Sequence, residues 1–299
     1  SCELRNSLET PKSDTIQTAP NNGCCLFSSK SNMIPAIYQQ LKSIVTQLCK
    51  TFKVFAETPK TGRPQKISQA DALTLALYQH QSTRATKKSV YKDFENALAC
   101  SYKTMVVSMN KAGLTSLKLL FIIMRLGKKY AHLVKYTDST DIPVCLQKNA
   151  DSHKTMRQFA GLGRSSKGWF YGLKMTMTRD DEGKLLALRF TAPGKNDRDI
   201  FRKINQDIYG IIVADAGYVS KKLEQDMNVE NQRWVLIRPY KTMKKLMTKW
   251  QEELYKGRFS IEFDFRNLKL FHGLVTSLPR SVEGYLANYM HALLSYALA

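Results

Sequence analysis

The chain has 299 residues, enough for one large or two modest domains. Hydrophobic residues make up 43% and charged residues 24%, the balance of a chain that buries a core, which excludes a wholly disordered protein. Lys and Arg number 46 against 25 acids, so the net charge is +21; that excess repels itself in a compact state and points to a polyanionic partner. Nucleic acid fits better than a membrane surface, because the cations are spread along the chain and do not gather beside an apolar segment. The longest uninterrupted apolar run, Leu119 to Met124, is far short of the roughly 20 residues of a membrane span, so no membrane association is expected.

The amino terminus has no charged-then-apolar signal pattern, and none of the six cysteines (Cys2, Cys24, Cys25, Cys49, Cys100, Cys145) sits in C-x-x-C spacing. Reduced thiols, no zinc and a cytoplasmic, nucleoid-associated protein are expected. The five histidines show no metal-ligand spacing.

Residues 1–32 are rich in Ser, Asn and Thr without apolar periodicity and read as a disordered leader; the first methionine is Met33. Residues 33–130 read as helical. Ile37, Leu41, Ile44, Val45 and Leu48 recur at helical spacing, the Pro- and Gly-containing run Thr58 to Pro64 breaks the pattern, and Ser68 caps a second helix. Further helices are expected over Lys88 to Ala99, Tyr102 to Ala112 and Leu114 to Tyr130. Short helices in a basic chain suggest a helix-turn-helix-like DNA-binding domain, with a plain helical cap as the alternative.

Residues 131–299 change to strands. Leu133 to Thr137 is the first, and Trp169 to Thr178 alternates, with Phe170, Leu173, Met175 and Met177 facing a core. Leu185 to Phe190 follows the turn Asp180-Asp181-Glu182-Gly183, making a hairpin. Asp197 to Ile208 is helical, Gly210 to Ala214 a strand, Ser220 to Met227 a helix and Trp234 to Ile237 a strand, followed by helices from Met243 to Leu254 and Arg258 to Leu270. The order β-β-β-α-β-α-β-α-α describes a mixed five-stranded sheet with helices on both faces, the order of the ribonuclease H-like α/β fold.

Asp138 and Asp215 each follow an apolar strand, where ligand groups of open sheets gather; a buried lone carboxylate is expensive, so neither is expected to face the core. Each alone reads first as a helix cap or turn aspartate, and two at the ends of successive core strands weaken that reading without removing it. On one helix, Tyr255, Arg258, Glu262 and Lys269 fall within about 60° of one another, and Arg258 with Glu262 reads by itself as an i,i+4 surface pair. Two stretches, 152–179 and 233–250, each carry six Lys or Arg and no acid, with Trp169, Phe170 and Tyr171 in the first and Trp234, Tyr240 and Trp250 in the second. Aromatic rings among cations suit stacking on unpaired bases, and core packing is the alternative role.

The spacing Tyr255-x₂-Arg258-x₃-Glu262-x₆-Lys269 resembles the signature of a large group of bacterial insertion-sequence transposases with a DDE catalytic triad. Asp215-Ala216-Gly217-Tyr218 resembles that family's second-aspartate motif, and Lys167 to Lys174 its second strand. The resemblance implies that Asp138, Asp215 and Glu262 are catalytic and hold two Mg²⁺ or Mn²⁺ ions, with no organic cofactor. It implies DNA contacts by Tyr255, Arg258 and Lys269, and the basic stretches add Lys167, Trp169, Lys174, Arg238 and Lys241. Gly62-Arg63-Pro64 resembles a minor-groove hook. The implied partners are the element's terminal inverted repeats and target DNA, with the protein acting as a homo-oligomer on DNA. A ribonuclease H-like nuclease or resolvase without strand transfer, and a non-catalytic DNA-binding derivative of a transposase, are the competing readings.

Overall fold

Helices α1 (Ala36–Thr51), α2 (Gln69–Gln81), α3 (Lys87–Asp93), α4 (Tyr102–Lys111) and α5 (Gly113–Lys129) come first in the computed structural model, which describes residues 35–55, 65–165, 168–229, 232–239 and 246–299. The expected leader and the Gly62-Arg63-Pro64 motif lie outside the described residues. The hydroxyls of Ser68, Thr86 and Ser101 accept from the backbone N–H groups of Asp71, Ser89 and Thr104 and fix the starts of α2, α3 and α4. In α1 the buried face is Tyr38, Leu41, Val45 and Cys49, and Ile44 is exposed, a small rotation from the expected stripe. The third helix ends at Asp93, not Ala99.

The backbone stays helical through Ala112, so α4 and α5 run on as one rod, Tyr102–Lys129. Among the described residues this is the one helix long and apolar enough to cross a membrane, which the uninterrupted-run reading missed. Its apolar side is accounted for by packing: Leu119, Leu120 and Met124 are buried, and α5 lies against β4 and the last helix.

The sheet contains β1 (Val134–Cys145), β2 (Gly161–Ser165), β3 (Gly168–Asp180), β4 (Leu185–Thr191), β5 (Gly210–Ala214) and β6 (Arg233–Ile237). Its order is β4-β3-β1-β5-β6, with β2 and β4 sharing the outer edge of β3. The first strands pair antiparallel; β1–β5 and β5–β6 are parallel, joined through α6 (Asp197–Ile204) and α7 (Lys221–Met227). This is the ribonuclease H-like arrangement. Helices α6 and α7 cover one face over Ile212, Ala214, Phe201 and Leu223. The other face carries α5, α8 (Lys249–Gly257), α9 (Phe259–Leu270) and α10 (Val282–Ala297), and its core runs on without a break into α1–α4. Covered on both sides, β3 buries Phe170, Leu173, Met175 and Met177 as expected, and Thr176 and Thr178 as well.

Three further elements, β1, β2 and α10, differ from expectation. Strand β1 does not stop at Thr137: it continues to Cys145, because Asp138 to Pro143 keep pairing with β3 after β5 has ended. Gly172 permits this pairing, since a Cβ there would lie 2.1 Å from the Ile142 carbonyl oxygen. Strand β2 is short and polar, without an alternating signal. Helix α10 was not anticipated; it is buried on nearly every side between α5, α2 and α4, so it shows no polar stripe.

The helical core also encloses two imidazoles. His80 Nδ1 lies 2.7 Å from the His272 carbonyl, and His291 bridges Ser116 Oγ (2.8 Å) and the Met109 carbonyl (2.9 Å). Burial pushes His80 down to about 4 and His291 to about 3, with Lys87 adding repulsion. Both folded values lie below the unfolded one, so as pH falls below about 6.5 the unfolded chain takes up protons that the folded chain refuses. Stability is therefore lost on the acid side, by about 2 kcal/mol for each imidazole at pH 5. Urea unfolding at pH 7 and pH 5 checks this: His291→Gln should show a smaller loss between the two than wild type, and an equal loss would contradict it.

Candidate active site

Strand parity aims the two aspartates. In β1, Val134 and Tyr136 face the α8–α9 side and Asp138 is next in that series; in β5, Ile211 and Val213 face the same side and Asp215 follows. The parallel pairing of the two strands ends at Thr137 opposite Ala214, so both carboxylates stand one residue beyond it. Asp138 is thus not at the end of its strand, as expected, but at the end of its parallel pairing.

Helices α8 and α9 are joined at Arg258, whose backbone is itself helical (φ −55°, ψ −31°). A Cβ on Gly257 would lie 2.0 Å from the Tyr136 hydroxyl, so glycine there lets this joint press onto β1. Tyr255, Arg258, Glu262 and Lys269 accordingly line one side of a nearly continuous helix, as their spacing requires. Arg258 Nη1 lies 2.8 Å from Asp138 Oδ2, and its Nη2 lies 3.0 Å from Glu262 Oε1 and 4.0 Å from Asp215 Oδ1. One guanidinium therefore gathers all three carboxylates. Tyr255 donates its hydroxyl to Asp215 Oδ1 (2.9 Å), and the Ser139 N–H donates to Asp138 Oδ1 (2.7 Å).

Burial separates the three acids. The Asp138 side chain is 17% exposed, those of Asp215 and Glu262 about half. Both aspartates face the cleft, and Asp138 is the more covered of the two. Burial pushes Asp138 up to about 6, against the Ser139 N–H and Arg258, with Asp215 and Glu262 adding to the rise. Burial works against the charge on Arg258, but Asp138, Tyr255, Asp215 and Glu262 hold its pKa above the usual value. Its Nε is buried without a partner among the described residues.

The carboxylates open into a cleft of about 730 Å³ whose walls include Asp141, Arg164, Phe170, Lys174, Pro193, Asp197, Arg266 and Lys269. Sequence reasoning missed Asp141, Arg164, Asp197 and Arg266. Asp141 lies beyond the expected end of the first strand, and the signal for Arg164 lay in a strand too polar to recognise. Of the expected DNA contacts, Lys269 bonds Asp141 (3.1 Å), Lys174 bonds both oxygens of Asp197 (2.6 Å), and Arg238 lies over the Tyr255 ring (5.2 Å). Trp169 is exposed under Arg164. Lys167, Lys241 and Tyr240 lie outside the described residues. Trp234 stacks on Trp250 (5.4 Å between ring centres, 9° between planes), Trp234 against the core and Trp250 exposed.

Hard divalent cations prefer carboxylate oxygen, which is all that the triad offers. Three carboxylates against one guanidinium also leave two uncompensated negative charges when all are ionised. The donor set fits such ions in kind. In placement, no three His, Cys, Asp or Glu among the described residues are close enough to hold one as they stand. Arg258 takes the space between them.

A ribonuclease H-like sheet with acids at the end of its central parallel pairing defines a class of carboxylate-site α/β proteins. Within that class, the family described as "Transposase DDE domain" matches residues 128–281, a little over half of the chain. The chain belongs to this family. Two solved structures are similar at a low level. One is a Mos1 transposase paired-end complex with the left transposon end (11% identity, 90% of this chain and 89% of that one, TM-score 0.24); the other is a pre-cleavage Mos1 transpososome (12%, 89% and 97%, 0.24). Among curated proteins no significant match is found.

Proposed function

We propose that this chain is the transposase of a bacterial insertion sequence, cutting DNA at the element's ends and joining the freed 3′ ends to target DNA. The observation that carries the reading is the gathering of Asp138, Asp215 and Glu262 around one guanidinium at the floor of an open cleft. In this reading the three carboxylates hold two Mg²⁺ or Mn²⁺ ions, which supply a nucleophilic water or hydroxyl and charge stabilisation for the leaving oxygen. The chain's own groups orient the donors: Tyr255 fixes one oxygen of Asp215, and the Ser139 N–H fixes one of Asp138. Arg258 partly neutralises the three acids, and with ions in their place its fork would be free to contact a phosphate.

The helical region supports a DNA-binding role. A groove between α2 and the α4–α5 rod is lined by Lys66, Lys103, Lys111 and Lys118 and by no acid. Phosphate contacts along such a groove supply affinity without reading sequence. The same reading places the protein in the cytoplasm, on the nucleoid, as a homo-oligomer that brings two element ends together.

Purified protein incubated with labelled end-bearing duplexes and a supercoiled target in Mg²⁺ tests this. Joined end–target products are expected. Nicks without joining favour a nuclease or resolvase, and binding without nicks favours a non-catalytic derivative.

A further inference from the structure

The cleft around the triad holds five carboxylates, Asp138, Asp141, Asp197, Asp215 and Glu262, and five cations reach it. Three of those cations are already engaged. Arg258 serves the triad, Lys269 is bonded to Asp141 and Lys174 to Asp197. Arg164 and Arg266 line the same cleft with no carboxylate in ion-pair contact among the described residues, and both are exposed. They stand on different walls: Arg266 one turn beyond Glu262 on α9, Arg164 on the edge strand β2.

We propose that Arg164 and Arg266 are the residues that grip the DNA backbone beside the triad, from opposite walls of the cleft. This rests on the transposase reading and names the contacts that serve it. A phosphate entering the cleft without metal ions meets the triad's excess negative charge, so the cations whose charge is not already spent on a neighbouring acid hold it at least cost. Lys269 and Lys174 would have to break their ion pairs and leave Asp141 and Asp197 uncompensated, whereas the two arginines break no ion pair among the described residues. Their guanidinium forks also match phosphate oxygens in pairs. Arg164 lies over the ring of Trp169 (5.9 Å to its centre), and Trp169 is 55% exposed. That wall therefore offers a cation for the backbone next to an open ring face on which an unpaired base can stack.

The test is the salt dependence of binding to a labelled end-bearing duplex in EDTA, read by fluorescence anisotropy. Arg164→Ala and Arg266→Ala should each weaken binding several-fold and lower the slope of log K against log salt by about 0.9, the value for one phosphate contact. Arg266→Lys should restore the slope, because a point charge still releases the counterion, and melting temperatures should stay at the wild-type value. Lys269→Ala should change the slope little. A wild-type slope in either arginine variant, or a slope lowered by about 0.9 in Lys269→Ala, would overturn the assignment while leaving the transposase reading intact. A wild-type protein that fails to bind the duplex would overturn both.

Discussion

Asp138→Asn is expected to lower DNA cleavage about a thousandfold or more while leaving DNA affinity equal or higher. The loss follows from removing one charged oxygen donor where ion-mediated stabilisation is worth several kcal/mol in the transition state. The affinity follows from charge, since the substitution deletes a negative group at the floor of a phosphate-binding cleft. Asparagine keeps the shape, and its oxygen still accepts from the Ser139 N–H. Its amide, however, then faces Arg258 Nη1, a donor against a donor, so the arginine must turn away. Because burial raises the Asp138 pKa, the ionised carboxylate costs stability in the folded protein. The variant should accordingly melt no lower than wild type. Nicking rates in Mg²⁺, anisotropy in Ca²⁺ and a melting curve check the three parts. Full Mg²⁺-dependent cleavage by the variant would remove Asp138 from the site.

Arg179→Met should produce the largest fall in stability, about 3–5 kcal/mol. Arg179 on β3 donates from Nη1 to Asp264 Oδ2 on α9 at 2.6 Å, and from Nε and Nη2 to the carbonyls of Asp180 and Asp181. Both charged side chains are only about 10% exposed. Removing the cation leaves a carboxylate enclosed by α9 and Tyr296 without its counter-charge. Replacing both partners by apolar groups, Arg179→Met with Asp264→Leu, should recover most of the loss, because no charge is then stranded. The pair also ties α9 to the sheet two residues beyond Glu262. The single variant should therefore lose cleavage more steeply than its melting temperature alone explains. A fall of less than about 1 kcal/mol in denaturant unfolding would show that the pair does not anchor α9.

Much of this architecture was legible because the relevant signals are local. The apolar run Gly210 to Ala214, the alternation from Trp169 to Thr178 and the helical spacing of Tyr255, Arg258, Glu262 and Lys269 each encode their own element. The triad could be named through the resemblance, because two apolar strands run into aspartates and because Tyr255, Arg258 and Lys269 stand at the family's distances from Glu262. What was not legible depends on partners remote in sequence. Strand β1 looked finished at Thr137, since Asp138 to Asp141 are polar; only β3 alongside, with Gly172 opposite Pro143, keeps those residues extended. Helix α10 hides its helical period by being buried on nearly all sides. Nothing local shows that Lys269 is spent on Asp141, or Lys174 on Asp197, since both pairs join different elements. The burial of most of the Asp138 side chain likewise involves Arg258 at the α8–α9 joint, 120 residues downstream.

Crystals of the protein soaked with Mn²⁺ in the presence of end-bearing DNA, and measured for anomalous scattering, test the central claim most directly. The account predicts manganese peaks in contact with carboxylate oxygens of Asp138, Asp215 and Glu262, with the Arg258 guanidinium withdrawn toward a phosphate. Manganese bound elsewhere on the chain, with Arg258 still seated among the three carboxylates and DNA in the cleft, would contradict it.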